Sequence, residues 1–462
     1  MTIVRKEEPM KVVSSYAVEI RHFNQIFKDT VRVYRSALSF LIEIYDKEWD
    51  YLSSIVKQKE RFNTAEHLVH TTKHNKSKYD FDTQFYKMPS YLRRDVINAA
   101  LGAVSSYQSN LRNWEAAGKK GNPPVLQVNR YVTPVFFRDN MYLETESGTV
   151  CNLKVLHNND WVWITVNLLK TDVAYLKKYW SHCKPSAPKL EKRHKKWFLR
   201  FTFEESVELA SSPVEEQTIC AVDLGINHDA VCSIMESDGT VLARRFINFP
   251  SEKDHLYHVL NRIKKFQRQH GSKNSSSFWA YVKRLNEELS KKIAAAIVSF
   301  ANPSSMEFEF DKVKFATEYR ADVIVFEYLS IKGKKSGSKK QKLHMWRKNY
   351  IQDLVEHKAH RIGVRISRVC AKYTSRLAFD SSGEVIRNLN NHSLCTFQTG
   401  KRYNCDLSAS YNIGARYFIR ELLKPVSVKR QSLLWTKVPE AERRTTCTLD
   451  TLRQVSDFLK VS

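Results

Sequence analysis

Two apolar runs in the second half of the chain, Thr218-Ile-Cys-Ala-Val-Asp223 and Ala321-Asp-Val-Ile-Val-Phe-Glu327, constrain the fold more than any other feature. Apolar continuity of this kind predicts strands buried on both faces. Around them stand Ala230-Val-Cys-Ser-Ile-Met, a Ser237-Asp-Gly-Thr turn leading to Val241, and helical patterns over about 253–300 and 345–361. Gly363 closes the second of these helices before a strand at 364–369, and a last helix begins near Ser408, carrying Ile413, Phe418 and Leu422. The order strand, hairpin, helix, strand, helix, strand, helix predicts a mixed sheet covered by helices. Both runs end on a carboxylate. Burying such a group costs several kcal/mol unless a cation or a donor compensates.

The first half follows a different period. Phe23, Phe27, Val31, Tyr34, Leu38, Leu41 and Tyr45 recur at helical spacing, as do Leu92, Val96, Ala100, Val104, Tyr107 and Leu111. After the breaker Gly118–Pro124 the spacing becomes two: Leu126–Asn129, Val135–Phe137, Met141–Leu143, Trp161–Val166, then Trp197, Leu199, Phe201 and Phe203. Short strands separated by Asp139-Asn140 and Asn158-Asn159 turns predict a small β-barrel or curled sheet, with a short strand also at 16–20. The acidic, Pro-containing stretch Glu205–Glu216 reads as a linker. The expected architecture is α+β and multidomain: 1–212 a helical and small β-barrel lobe, 216–462 a mixed sheet with helices, RNase H-like among the possibilities.

The 75 Lys+Arg of the 462 residues outweigh 49 Asp+Glu, a formal charge of +26. Self-repulsion of that size calls for a polyanionic partner, and nucleic acid leads. No run of about 18 apolar residues exists, and the N-terminus lacks an apolar signal core, so the expectation is a cytosolic or nuclear protein with no membrane partner. Eight scattered Cys read as thiols or metal ligands rather than a disulfide framework.

Asp223, Glu327 and Asp406 are the three carboxylates that a sheet protein would ordinarily avoid at these positions. Asp406 precedes a helix, where a capping role competes with a ligand role. Three hard oxygen donors suit Mg²⁺, and two such ions roughly 4 Å apart serve phosphodiester hydrolysis. Gly225, just after Asp223, would let a backbone or a substrate come close.

Val222-Asp-Leu-Gly-Ile-Asn227, Val325-Phe-Glu327 and Asp406-Leu-Ser-Ala-Ser-Tyr-Asn-Ile-Gly414, in this order, resemble the split RuvC nuclease of TnpB proteins and compact type V CRISPR effectors. His357-Lys-Ala-His-Arg-Ile-Gly363 followed by Lys372-Tyr-Thr-Ser375 is similar to the segment this family places between its second and third carboxylates. The resemblance covers nearly all of 216–423. It implies that Asp223, Glu327 and Asp406 are catalytic and bind two Mg²⁺. It also implies that a guide RNA and double-stranded target DNA are the partners, that helices at about 22–117 are recognition helices inserted in a β-barrel wedge domain, and that the setting is the bacterial cytoplasm. Whether one copy or two act together stays open. The chain departs from the family in its ribbon, at about 373–405. Ala378 and Ser381 stand where a first Cys-x-x-Cys pair would fall, and Cys395 is the lone sulfur of the second. No zinc is expected there, a substitute set of Cys370, His392, Cys395 and Cys405 being the weaker reading.

Lys332–Lys348 carries eight Lys/Arg and no acid, so Lys334, Lys335, Lys339, Lys340 and Arg347 are candidate phosphate contacts. Trp346 is a candidate for base stacking, with His344 beside it. In the first half Tyr86, Lys87, Arg93, Arg94, Asn98 and Gln108 are candidate DNA contacts. The function these features point to is an RNA-guided DNA endonuclease. A strand-transfer transposase and a non-cleaving RNA-guided DNA binder are the alternatives.

Overall fold

The computed structural model describes residues 9–21, 25–129, 131–193, 195–271, 275–303, 319–328, 346–388, 391 and 393–461. Phe23, Lys334, Lys335, Lys339, Lys340, His344 and His392 lie outside them. The chain divides into two compact units, Val13–Glu205 and Ser206–Ser462 together with Met1–Val12. No helix among the described residues is long and apolar enough to cross a membrane.

In the first unit a strand β1 (Met10–Ile20), longer than the one expected at 16–20, leads into α1 (Ile26–Lys47). Then follow α2 (Trp49–Ser54), α3 (Gln58–Val69), α4 (Phe81–Gln84) and α5 (Ser90–Ala116). Phe27, Val31, Tyr34, Leu38, Leu41 and Tyr45 are all buried, as are Leu92, Val96, Ala100 and Val104 of α5, so both helical stripes face a common core. The strands are β2 (Tyr142–Glu144), β3 (Val150–His157), β4 (Asp160–Asn167), β5 (Lys189–Arg193) and β6 (Lys196–Val207), with α6 (Lys170–Trp180) between β4 and β5. Trp197, Leu199, Phe201 and Phe203 share the buried face of β6. These strands make two open three-stranded sheets, β1-β6-β5 and β2-β3-β4, and no closed sheet among the described residues. Isolated bridges Ile20↔Leu168 and Val135↔Lys189 link their margins. Of the barrel or curled sheet expected from the alternation, the described residues show no closed barrel, and β4 is a largely solvated edge with Val166 its one buried residue.

The second unit is built on one mixed sheet of order β11-β10-β7-β8-β9. Here β7 is Ile219–Asp223, β8 Ala230–Met235, β9 Val241–Ile247, β10 Val323–Tyr328 and β11 Arg365–Cys370. β7, β8 and β9 form an antiparallel meander, whereas β10 runs parallel to β7 and to β11. Residues 219, 221, 323 and 325 pack against α10 (Cys405–Leu423) and α12 (Leu449–Val461). Residues 220, 222, 324 and 326 pack against α8 (Ser276–Ala301) and α9 (Lys348–Arg361). Covering both faces is what permits the apolar runs. α7 (Pro250–His270) packs with α8, and α11 (Val428–Lys437) with the face of α10. A ribbon, β12 (Ile386–Arg387), β13 (Leu394–Thr396) and β14 (Arg402–Asn404), precedes α10.

Candidate active site

The pairing of β10 with β7 puts Val325 beside Ala221. Glu327 and Asp223 each lie two residues further along their parallel strands, so they end neighbouring strands on the same face, the one α10 covers. Asp406 lies in the first turn of α10, whose cap is Asn404: its side chain accepts from Leu407 N at 2.9 Å. The helix thus starts at Cys405, a little earlier than the sequence suggested, and its capping position is taken, which leaves Asp406 unengaged in capping. Two glycines set the approach of these parts. A Cβ at Gly414 would stand 2.5 Å from Met235 Sδ and 3.2 Å from Ala221 Cβ, so only glycine lets α10 lie this close to β7 and β8. A Cβ at Gly225 would stand 2.8 Å from the His228 carbonyl oxygen, so the close approach here is by backbone.

The electrostatics couple the three groups. Burial pushes the Asp223 carboxyl well above the ordinary range, the negative charges of Glu327 and Asp406 push it further, and Arg387 of β12 opposes them. Burial also raises Glu327, against the Thr374 hydroxyl and the Arg416 charge. The Thr374 hydroxyl hydrogen-bonds Glu327 Oε1. Asn412 of α10 holds that turn, donating to the carbonyls of Thr374 and Leu377 at 3.0 Å each and accepting from Leu449 N at 3.2 Å. Arg416 is buried and donates to the carbonyls of Cys370, Lys372, Thr445 and Cys447 at 2.7–3.2 Å, which fixes its cation near Glu327. His228 Nδ1 lies 3.1 Å from Asp406 Oδ2. Sequence reasoning missed His228, Arg387 and Arg416, because each reaches the carboxylates only through tertiary contacts.

The donor set is of the hard-oxygen class that a divalent cation takes. It offers three carboxylates, two of them held at a raised pKa by burial, and Asp223 also by its acidic neighbours; a positive ion relieves both costs.

In the ribbon Ala378, Cys395, Phe397 and Cys405 form a small buried cluster with Phe379, Val385 and Tyr403 packed on it. Burial pushes the Cys395 thiol up to about 12, as the Cys405 thiol beside it also does. Ser381 hydrogen-bonds Thr448 at 2.7 Å, and Cys370 is exposed at the end of β11.

The remaining candidates divide. Tyr86, Lys87, Arg94 and Asn98 are exposed. Arg93 is largely covered and pairs with Glu66 at 3.7 Å, and Gln108 donates to Asp46 at 2.8 Å, so both serve the fold of the helical unit. Trp346 lines a cavity of about 480 Å³ with Gly225, Asn227, Lys253 and Lys264. Arg347, on the same cavity, pairs with Glu287 at 3.2 Å.

The fold assembled here is shared with compact type V CRISPR effectors. A Cas12f1 solved with sgRNA and target DNA superposes with a TM-score of 0.50 at 14% identity, over 84% of this chain and 81% of that one. The mini-RNA-guided endonuclease CRISPR-Cas_phi3 gives 0.50 at 9% identity, over 88% and 92%. In sequence, a family model described as the Aq_aa04 family matches residues 14–157, within the first unit. The uncharacterized protein aq_aa04 of Aquifex aeolicus (strain VF5) is 27% identical over 155 residues, 27% of this chain and 88% of that protein.

Proposed function

We propose that the chain is an RNA-guided DNA endonuclease that hydrolyses phosphodiester bonds at one RuvC-like, RNase H-like site in residues 216–462. One observation carries the reading: Asp223 lies where the charges of both Glu327 and Asp406 act on it, at the rim of a mixed sheet. In this reading Asp223, Glu327 and Asp406 hold two Mg²⁺. When bound, such ions supply Lewis acidity to the scissile phosphate and make water nucleophilic at neutral pH.

The chain's own groups then have distinct tasks. Thr374 orients Glu327, and it and the Arg416 charge lower the cost of the ionised form that a cation ligand requires. His228 orients Asp406 by engaging one oxygen and leaving the other for the ion. Arg387 offers a charge to a phosphate approaching the carboxylates. The first unit, read as recognition helices on a wedge domain, would bind guide and target, with base pairing selecting the sequence. The Cas12f1 of this fold was solved with sgRNA and target DNA, which supports the same partners here.

The test is reconstitution. RNA copurifying with the chain is sequenced, its variable segment is changed, and cleavage of matching and mismatched duplexes is followed with and without Mg²⁺. Cleavage that follows the guide and needs the cation is expected. Cutting that ignores the guide removes the programmed part. Guide-dependent binding with no cutting, unchanged by Asp223→Ala, makes the chain a non-cleaving binder.

A further inference from the structure

The first unit holds a set of metal-ligating atoms that the nuclease reading does not use. An imidazole nitrogen of His182, the sulfur of Cys183 and a carboxylate oxygen of Glu205 all lie within 4.8 Å of one another. His182 and Cys183 follow the last turn of α6, where Cys183 N donates to the Trp180 carbonyl at 3.1 Å. Glu205 lies in β6, and the loop between is tied to that strand by Ser186 N donating to the Thr202 carbonyl at 2.8 Å. The His182 ring is stacked on Trp180, which stacks on Phe203 at 4.5 Å. His182 Nε2 already stands 3.0 Å from Glu205 Oε1. These donors are therefore positioned by packing before any ion arrives.

We propose that His182, Cys183 and Glu205 bind a zinc-class divalent cation, with water in a fourth position, fastening the end of α6 to β6. The donor chemistry selects the ion. A thiolate beside an imidazole disfavours Mg²⁺ and Ca²⁺, and one nitrogen, one sulfur and one oxygen suit tetrahedral Zn²⁺. Bonds of about 2.0–2.3 Å set such ligands roughly 3.3–3.6 Å apart. The present spacing brackets that range, so small side-chain shifts suffice. The His182 side chain is 59% exposed and Glu205 16%, which leaves an entry path while keeping the carboxylate partly desolvated. Binding replaces the His182–Glu205 contact and releases the thiol proton to solvent. The site belongs to the first unit and the ribbon, where the sequence argued against zinc, to the second, so it is independent of the nuclease assignment.

The test uses the full chain, stripped with a chelator and titrated with Co²⁺ and then Zn²⁺. The parent is expected to show a thiolate-to-cobalt charge-transfer band that Zn²⁺ abolishes. A Cys395→Ala/Cys405→Ala protein keeps the band, and Cys183→Ala loses it. His182→Ala, at an exposed side chain where folding is safe, lowers apparent affinity roughly a hundredfold or more. A band that survives Cys183→Ala, an affinity unmoved by His182→Ala, or no band in the parent overturns the site. If Cys183→Ala fails to fold, His182→Ala alone decides.

Discussion

A carboxylate whose folded pKa lies above its unfolded value favours folding only while protonated. For Asp223 that contribution is complete below the ordinary Asp value of about 3.9 and is lost as pH rises through the raised folded value. Glu327 is raised too and acts with the same sign. The metal-free protein should therefore lose stability with rising pH across that window, and Asp223→Asn should remove part of the loss. The variant is expected to melt higher than the parent at neutral pH without divalent cation, by about 2–4 °C for each kcal/mol of relieved repulsion. Mg²⁺ should stabilise the parent and leave the variant unmoved. Equal melting temperatures in a metal-free pH series would show that Asp223 is not strained by burial and charge. The neighbours make a second prediction. Thr374→Val and His228→Ala remove groups that orient Glu327 and Asp406, so each should cut the single-turnover cleavage rate roughly 10–100-fold, with part of the loss recovered at high Mg²⁺. A rate unchanged at every Mg²⁺ concentration would exclude a positioning role.

Among the elements, those legible in the sequence are those whose reasons are local. β7 and β10 were visible because a strand covered on both faces writes its burial into every residue, and α1 and α5 because one helical face repeats at a fixed step. The sheets of the first unit were legible as strands and illegible as an assembly. β1 pairs with β6 across most of that unit, and nothing near either strand encodes the partner. The two candidate contacts spent inside the fold share this cause: Gln108 finds Asp46 only because α1 and α5 pack side by side. Gly414 was legible as part of a motif, but its reason is the space left by Met235 and Ala221. Gly414→Ala should accordingly destabilise the protein by about 1–3 kcal/mol, the cost of forcing a group into a filled core. In a Met235→Ala background the same change should cost much less, which chemical denaturation of the four proteins of the cycle would reveal. Additive losses would mean that helix flexibility, rather than the contact, accounts for the glycine.

For the molecule as a whole, +26 charges decide how it meets a polyanion but leave open which of them touch it. If binding of the copurifying RNA neutralises about 6–10 phosphates, affinity should fall some 10³–10⁵-fold between about 50 and 200 mM salt. The internal ion pairs sharpen this into a test of individual residues. Lys87 pairs with Asp160 at 3.7 Å and Arg94 with Glu66 at 4.0 Å, yet each keeps about half of its side-chain surface in water, whereas Arg93, paired with the same Glu66 at 3.7 Å, is 13% exposed. An exposed cation can exchange its carboxylate for a phosphate, whereas one covered by the fold cannot reach the RNA. Lys87→Ala or Arg94→Ala, where the residue meets a phosphate, should each flatten the plot of log affinity against log salt by about one, with folding unchanged. Arg93→Ala should leave that slope alone and lower the melting temperature instead, because Glu66 loses its covered partner. Filter binding across a salt series, run beside thermal melts, separates the two outcomes. A slope change in Arg93→Ala with an unchanged melt would reassign Arg93 to the nucleic-acid surface, and unaltered slopes in both exposed variants would move the RNA to another face of the chain.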